Sequence, residues 1–141
     1  MNPLRLVFLF LLLPLAQGWA EGLAKLKIGS HELIVEVAVS DQEQETGLMN
    51  RASLGADQGM LFVFDEPKEA SFWMHNTSIP LDLAYLDSHG EILEILPLVP
   101  FEEKPVKSKS NKVAYALETN RDWFSSRGLK AGAKIEGLPT R

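Results

Sequence analysis

The sequence predicts a mainly β protein: a single compact domain, a β-sandwich or barrel, with two short helices. Leucine and valine alternate with Ile34, Glu36 and Ala38 over residues 33–39, the period-two pattern of a strand with one buried face. Residues 61–64 form an apolar run of strand length, and the turn residues 87–90 separate two further apolar segments. Many short strands with minor helices are typical of sandwiches and barrels.

The two helices are predicted from their ends. Ser40 and Glu43 have the spacing of a capping box, so a short helix begins there and runs toward Met49. Asn120 caps a second short helix, which Gly128 ends. The remaining strands are predicted at 72–74, 81–86, 91–98, 113–118 and 129–138.

Residues 1–20 predict a cleavable signal peptide. The start is positively charged, residues 6–13 are apolar, and Gly18 and Ala20 stand at the two positions that signal peptidase reads. The apolar run is shorter than the about 20 residues that a spanning helix needs. We therefore expect cleavage after Ala20 and an exported domain, periplasmic or secreted, over 21–141, with an uncleaved membrane anchor as the alternative.

The composition excludes several classes of function. The chain has 19 acidic and 14 basic residues, a net charge of −5, which argues against nucleic acid as a partner because phosphates call for a basic face. It has no cysteine, which excludes disulfides, thiolate chemistry and lipid attachment at cysteine. No segment after the signal peptide is apolar enough to span a bilayer, and we predict no cofactor.

A dense mixture of residue types between 47 and 82 fits neither a helical nor a strand period. It reads GLMNR at 47–51, GMLFVF at 59–64 and FWMHNTSIPLD at 72–82, and ALE at 116–118 and GLKAG at 128–132 follow. This series of motifs resembles the DUF192 family (domain of unknown function 192) from about residue 26 to 135. The resemblance implies a β-sandwich, broadly of jelly-roll type, that is often exported in bacteria and archaea and has no assigned activity.

The chain departs from the family pattern at two places. Asn120 is followed by Arg121 and Asp122, where the family usually has alanine and glycine. That departure argues against a tight backbone approach to a ligand beside Glu118. His75 stands where the family tends to have lysine, and a histidine can titrate near neutral pH or bind a metal.

Three charged residues are candidates for a site: Arg51, Asp82 and Glu118. Strand alternation places each carboxylate on a face with small neighbours, which leaves room beside it. Arg51 can bridge to either carboxylate as a bidentate partner. Three interpretations stay open: an ion pair that pins the helix to the sheet, a pocket with a polar floor, and paired-carboxylate hydrolysis.

Trp73 lies near Asn76, Thr77 and Asp82 in the sequence, a combination that suits carbohydrate or another flat polar ligand. An indole offers an apolar face, while amide, hydroxyl and carboxylate groups orient hydroxyls. The alternative is that Trp73 belongs to the core.

Met49, Met60 and Met74, with Trp73 and His75, allow a different interpretation. Thioethers and an imidazole are ligands that suit copper(I) outside the cytoplasm. Methionine also fills gaps in apolar cores, and each of these methionines has apolar neighbours. Core filling is the favoured interpretation, and no resident metal is predicted.

The sequence thus predicts a periplasmic ligand-binding or envelope-associated module rather than an enzyme. Its partner is expected to be a small polar ligand, carbohydrate-like or otherwise, or an envelope component. A paired-carboxylate hydrolase, a copper(I)-handling protein and a purely structural interaction domain are the alternatives. The predicted ligand-binding residues are Arg51, Trp73, Asn76, Thr77, Asp82 and Glu118.

Overall fold

A computed structural model of the protein describes residues 22–140, so the predicted signal peptide at 1–20 lies outside the described residues. The described part contains nine strands, one α-helix and one 3₁₀ turn. The strands are β1 (Leu23–Ile28), β2 (His31–Ala38), β3 (Gln58–Lys68), β4 (Ser71–Phe72), β5 (Leu81–Leu86), β6 (Ile92–Leu98), β7 (Val106–Lys107), β8 (Val113–Asn120) and β9 (Ile135–Glu136), with α1 at Asp41–Thr46 and the 3₁₀ turn at Ser125–Arg127. The predicted mainly β fold with two short helices is confirmed.

Seven strands form one curled sheet, a half-barrel, in the order β6-β5-β8-β3-β2-β1-β9. The β2–β3 pair is parallel, with α1 in the connection, and the other neighbours are antiparallel. β4 and β7 form a separate two-stranded piece. This piece packs over one face of the sheet, where the Tyr85 hydroxyl on β5 donates to the Val106 carbonyl on β7 at 2.6 Å.

The strand register assigns each side chain to one of two faces, and each face has its own apolar core. On the face under α1 and β4, Glu36, Met60, Glu118 and Leu83 form one row across β2, β3, β8 and β5. The next row, on the opposite face, contains Gly59, Thr119 and Asp82. Buried side chains of the two faces are therefore interleaved in sequence but separated by the sheet.

The end of β2 and the start of α1 follow the predicted capping box. The Glu43 amide donates to the Ser40 hydroxyl at 3.1 Å, and the Ser40 amide donates to the Glu43 carboxylate at 3.2 Å. The helix ends at Thr46, earlier than predicted, because Gly47 has a positive φ of 46° that leaves the helical region. Because the helix ends here, Leu48 and Met49 lie outside it and follow the sheet.

Several boundaries differ from the sequence prediction. The strand predicted at 72–74 is the two-residue β4, and the one predicted at 129–138 is reduced to β9. Asn120 ends β8 instead of capping a helix, and the 3₁₀ turn begins five residues later, although Gly128 ends it with a φ of 66° as predicted. Among residues 22–140, no helix has the length and apolar character to cross a membrane.

Candidate functional site

One cavity lies between α1, β4 and the curled sheet, and we call it the Glu118 cavity. It has a volume of about 260 Å³. Its apolar wall consists of Leu48, Met49, Phe62, Phe64, Ala70 and Phe72. Trp73 lines its rim and is 47% exposed, while Thr77 and Glu118 contribute buried polar groups. The combination of apolar walls with a few convergent polar groups is the usual character of a small-molecule site.

Glu118 is the unusual residue of this cavity. The side chain is 4% exposed, and its Oε2 atom has no hydrogen-bond partner within residues 22–140. Burial raises the pKa of Glu118 from 4.5 to about 8, because the surrounding protein cannot solvate the carboxylate form. A buried polar atom without a partner costs free energy in the folded state and is rare in native proteins. The carboxyl thus lines the cavity with one of its oxygens unsatisfied by the described residues.

Aromatic rings dominate the wall beside Glu118. The Phe62 and Phe72 ring centroids lie 4.8 Å apart in an edge-to-face arrangement, and Phe72 also contacts Phe64 at 6.5 Å. The Lys68 ammonium lies 4.4 Å from the centroid of the Phe64 ring, a cation–π contact. An aromatic face of this cavity therefore already accepts an ammonium group of the protein itself.

The exposed indole of Trp73 is held by its neighbours. His75 stacks on it with ring centroids 4.8 Å apart and an interplanar angle of 23°. The His75 Nδ1 atom in turn contacts the Glu103 carboxylate. Since His75 covers one face of the indole, a ligand in the cavity meets a platform whose orientation is already fixed. The alternative of a core position for Trp73 does not fit its exposure.

Three strained residues lie in the loops beside this rim. Asn50, Asn76 and Phe101 all have positive φ values, of 61°, 50° and 61°. The Asn50 amide donates to the Asn76 carbonyl at 2.8 Å, and the Phe101 amide donates to the Thr77 carbonyl at 3.0 Å. The Thr77 hydroxyl donates to the backbone carbonyl two residues earlier at 2.9 Å. These bonds tie together the segments that carry the cavity residues near the rim, at a cost in backbone strain.

A second cavity, which we call the Arg51 cavity, adjoins the first and has a volume of about 430 Å³. The Arg51 guanidinium forms a bidentate ion pair there with Glu36, its Nη2 atom donating to Oε1 at 3.2 Å. The two cavities share Thr46 and Gly47 as lining residues, and Met60 lies between Glu36 and Glu118 in the same row of the sheet. The partner of Arg51 is thus Glu36, because the parallel β2–β3 pairing brings Glu36 to this position. The predicted bridge from Arg51 to Asp82 or Glu118 is not formed.

Asp82 lies on the opposite face of the sheet and is fully engaged in structure. Its carboxylate accepts the Asp122 amide at 2.8 Å and lies 3.3 Å from the Arg121 guanidinium. Arg121 also donates to the Leu81 carbonyl at 3.0 Å and the Leu98 carbonyl at 2.8 Å. Burial raises the pKa of Asp82, and the Asp122 amide and Arg121 charge oppose that rise. Paired-carboxylate hydrolysis does not fit this geometry, since Glu118 and Asp82 do not face one cleft.

The residues considered for copper(I) do not converge on one point. Met49 lines the Glu118 cavity and Met60 the Arg51 cavity, whereas Met74 is 2% exposed within the core. His75 is engaged with Trp73 and the Glu103 carboxylate. Within 22–140, no group of three histidine or acidic residues has a geometry that could hold a metal ion.

The order of motifs and this fold can be compared with known proteins. A sequence profile of the DUF192 family, described as "Uncharacterized ACR", matches residues 24–137. The chain belongs to the DUF192 family. No curated protein matches it.

Two solved structures are similar to this DUF192 protein. A protein of Sinorhizobium meliloti 1021, described as a "putative transcription regulator", shares 36% sequence identity with a TM-score of 0.78, over 82% of this chain and 93% of that one. A protein of unknown function from Novosphingobium aromaticivorans DSM 12444 shares 32% identity with a TM-score of 0.72, over 81% of this chain and 83% of that one. The similarity extends across the domain and assigns no activity to it.

The residues predicted from the sequence to form one site therefore lie at different places in the structure. Trp73, Thr77 and Glu118 line the Glu118 cavity, whereas Arg51 lines its neighbour. The exposed Asn76 contributes its backbone carbonyl to the rim. Sequence reasoning missed the aromatic wall and the charged partners. Those residues are Glu36, Phe62, Phe64, Lys68, Phe72 and Arg121.

A signal for one of the missed residues was present in the sequence. Glu36 interrupts the apolar character of β2 on the face that also carries Ala38. A charged residue at such a position predicts a partner from another segment. The aromatic residues Phe62 and Phe64 gave no comparable signal, because alternating aromatic residues in a strand are equally typical of a closed core.

Proposed function

We propose that this DUF192 protein is a binding module for a small ligand, with the Glu118 cavity as its site. The observation that carries the proposal is the buried Glu118 carboxyl, whose Oε2 atom has no hydrogen-bond partner in the described protein. Leaving such a group unpaired costs about 1–3 kcal/mol, and more when the group is charged. A ligand that supplies the missing partner recovers this cost on binding.

The remaining residues of the cavity support this role. Phe62, Phe72 and Met49 supply apolar surface, and burying apolar surface of a ligand contributes about 25 cal/mol per Å². Trp73 offers an exposed platform at the rim. The strained, hydrogen-bonded loops that carry Thr77 hold the rim in one arrangement. A site that is organised before the ligand arrives loses less entropy on binding.

Binding is favoured over the alternatives by the arrangement of charges. Hydrolysis by two carboxylates requires Asp82 beside Glu118, and the strand register puts them on opposite faces. A role in transcription, as in the description of the related Sinorhizobium protein, does not fit a net charge of −5, which disfavours nucleic acid.

Thermal unfolding of residues 21–141 against a panel of small ligands tests the proposal. The panel contains oligosaccharides, peptidoglycan fragments, aliphatic amines, guanidines, alcohols and amides. A ligand at 100 times its dissociation constant adds about 2.7 kcal/mol to the free energy of unfolding, which raises Tm by roughly ten degrees.

Two variants locate the binding site. Trp73→Ala is expected to remove the increase in Tm, because the indole lines the rim. Val99→Ala is the control: this side chain is 54% exposed and does not line the cavity, so its variant should retain the increase. A panel without any increase in Tm, or an increase that survives Trp73→Ala and Glu118→Gln alike, contradicts the proposal.

We also propose that the domain acts after export, with residues 1–20 as its signal peptide. The charged start, the short apolar segment and the small residues before Glu21 support this. Mass spectrometry of the protein from a cell-envelope fraction should give a chain that begins at Glu21. A chain that retains residues 1–20 would contradict cleavage.

A further inference from the structure

We infer that the ligand of the Glu118 cavity is an organic cation that donates N–H hydrogen bonds: a primary ammonium or guanidinium group at the end of a short aliphatic chain. This inference rests on the proposed function and names the ligand class of the same site. Four properties of the cavity lead to it.

The first property is the charge around the cavity. Glu118 lies at its floor and Glu45 of α1 at its edge, while Lys68 at the end of β3 is the cation that lines it. Tyr85 of β5 is another titratable group near Glu118. Its hydroxyl hydrogen is donated to the Val106 carbonyl and not to Glu118. Once Glu118 is ionised, the cavity has two acidic groups and one basic group, and a bound cation balances this excess.

The second property is the need for a hydrogen-bond donor. The Glu118 Oε2 atom is buried and has no donor directed at it within residues 22–140. An ammonium or guanidinium N–H satisfies this atom and forms a charge-assisted hydrogen bond with the carboxylate. A quaternary ammonium has no N–H group and would leave the oxygen without a partner.

The third property is the aromatic wall. The negative faces of aromatic rings attract ammonium and guanidinium groups, most strongly where water is excluded. Lys68 already makes this contact, with its ammonium 4.4 Å from the centre of Phe64. Phe62 and Phe72 line the same cavity and pack against each other edge to face.

The fourth property is an apolar stretch of the wall, which lies beside the polar side chains that α1 and Ser71 contribute to the lining. Leu48, Met49 and Ala70 have no polar side-chain atoms able to orient a second hydrogen-bonding group. Methylene groups of a ligand match this surface. With a volume of about 260 Å³, the cavity suits a chain of a few carbons behind the cation.

A cation and a neutral ligand predict opposite pH dependences. A cation pairs with the Glu118 carboxylate, so its binding expels the proton that the carboxyl retains up to a pKa of about 8. Its affinity therefore rises with pH below that value. A neutral ligand that accepts a hydrogen bond from the protonated carboxyl binds equally well at pH 6 and 7 and loses affinity above pH 8.

The test measures Kd for n-pentylammonium by calorimetry at pH 6, 7 and 8, with 1-pentanol and tetramethylammonium as matched probes. An alkylammonium keeps its charge across this range, as a lysine side chain does. We expect the Kd of pentylammonium to fall by about fiftyfold from pH 6 to pH 8, as the ionised fraction of Glu118 rises. The neutral alcohol and the cation without N–H groups should bind far more weakly.

Two buried acids provide the matched variants. Glu118→Gln should abolish both pentylammonium binding and its pH dependence, whereas Asp82→Asn, on the opposite face of the sheet, should retain both. A Tm measurement of each variant establishes that it is folded.

The inference is overturned if pentylammonium and a guanidinium analogue fail to bind at millimolar concentration, or bind with a Kd independent of pH. If pentanol or another neutral member of the panel binds instead, the cation inference fails while the proposed binding function stands. If no member of the panel binds, both fail.

Discussion

The two buried acids of the sheet, Asp82 and Glu118, differ in almost every respect except burial. They lie on adjacent strands, one residue pair apart, with exposures of 7% and 4%. Asp82 accepts the Asp122 amide and faces Arg121. Glu118 faces aromatic rings and a cavity, and one of its oxygens has no partner within the described residues.

This difference separates a structural acid from the acid of the proposed site. The groups around Asp82 are contributed by the turn that follows β8, so its hydrogen bonds join two parts of the backbone. The groups around Glu118 offer no such hydrogen bonds. The fold tolerates the free-energy cost of this unpaired oxygen beside the Glu118 cavity of about 260 Å³. Burial alone therefore does not mark a carboxylate as functional, and the proposed site rests on burial without a partner beside a cavity.

The largest expected effect is that of Glu118→Gln on stability. Below pH 4.5 the carboxyl is protonated in both folded and unfolded chains. Between 4.5 and its folded-state pKa of about 8, only the folded protein keeps the proton, so the free energy of unfolding falls by about 1.4 kcal/mol per pH unit. The amide does not ionise, and the variant should therefore be more stable than the natural protein by about 3 kcal/mol at pH 7.

Chemical denaturation of both proteins at pH 5, 6, 7 and 8 measures this effect. The difference between variant and natural protein should grow with pH across this range. A difference that is constant with pH would mean that Glu118 has a partner that stabilises its charge, and the contrast with Asp82 would be lost.

The next largest effect is expected from Asp82→Ala, with the opposite sign. The substitution removes the acceptor of the Asp122 amide and leaves Arg121 without its carboxylate, which should cost about 2 kcal/mol. Asp82→Asn retains a carbonyl that can accept the amide hydrogen, so this variant should recover most of the loss. Urea unfolding at pH 7 compares the three proteins. Equal stability of the Ala variant and the natural protein would contradict the structural role.

The smallest effect is expected from Lys68→Met. Lys68 lies over Phe64 at the Glu118 cavity, with a positive charge that repels a bound cation. Its removal should tighten pentylammonium binding by about threefold, the effect of one unit charge several ångströms away in a partly solvated site. The matched control is Lys27→Met on β1, whose exposed side chain does not line the cavity and should leave Kd unchanged. Weaker binding in the Lys68 variant would show that Lys68 assists the ligand instead.

Local signals in the sequence predicted local structure well and long-range contacts poorly. The alternation in β2 and the capping box at Ser40 depend on neighbours a few residues away, and both are found in the structure. Alternation also put Glu118 on a face with small residues beside it. The partners of Arg51 and Asp82 depend on which strands pair, and no local period contains that information.

The short last strand of the sheet shows the same limit. β9 is two residues long because it pairs with β1 only at Lys27 and Ile28. The sequence of 129–138 is apolar enough for a longer strand, yet much of it packs against the core without strand pairing: Leu129, Ala133 and Leu138 do so. Packing replaces strand pairing there, and the pattern of apolar residues does not distinguish the two.

The position of β8 in the sheet has a consequence for the order of folding events. Its neighbours are β3 and β5, which have no other strand between them, so the sheet consists of two separate parts until residues 113–120 are inserted. Pairing between segments this distant in the chain is slow, because loop closure must precede the contacts that reward it. Without β8, the β1–β2–β3 unit and the β5–β6 hairpin would have no strand to join them. The central strand, one of the last to be synthesised, both joins these units and carries the Glu118 carboxyl of the proposed site.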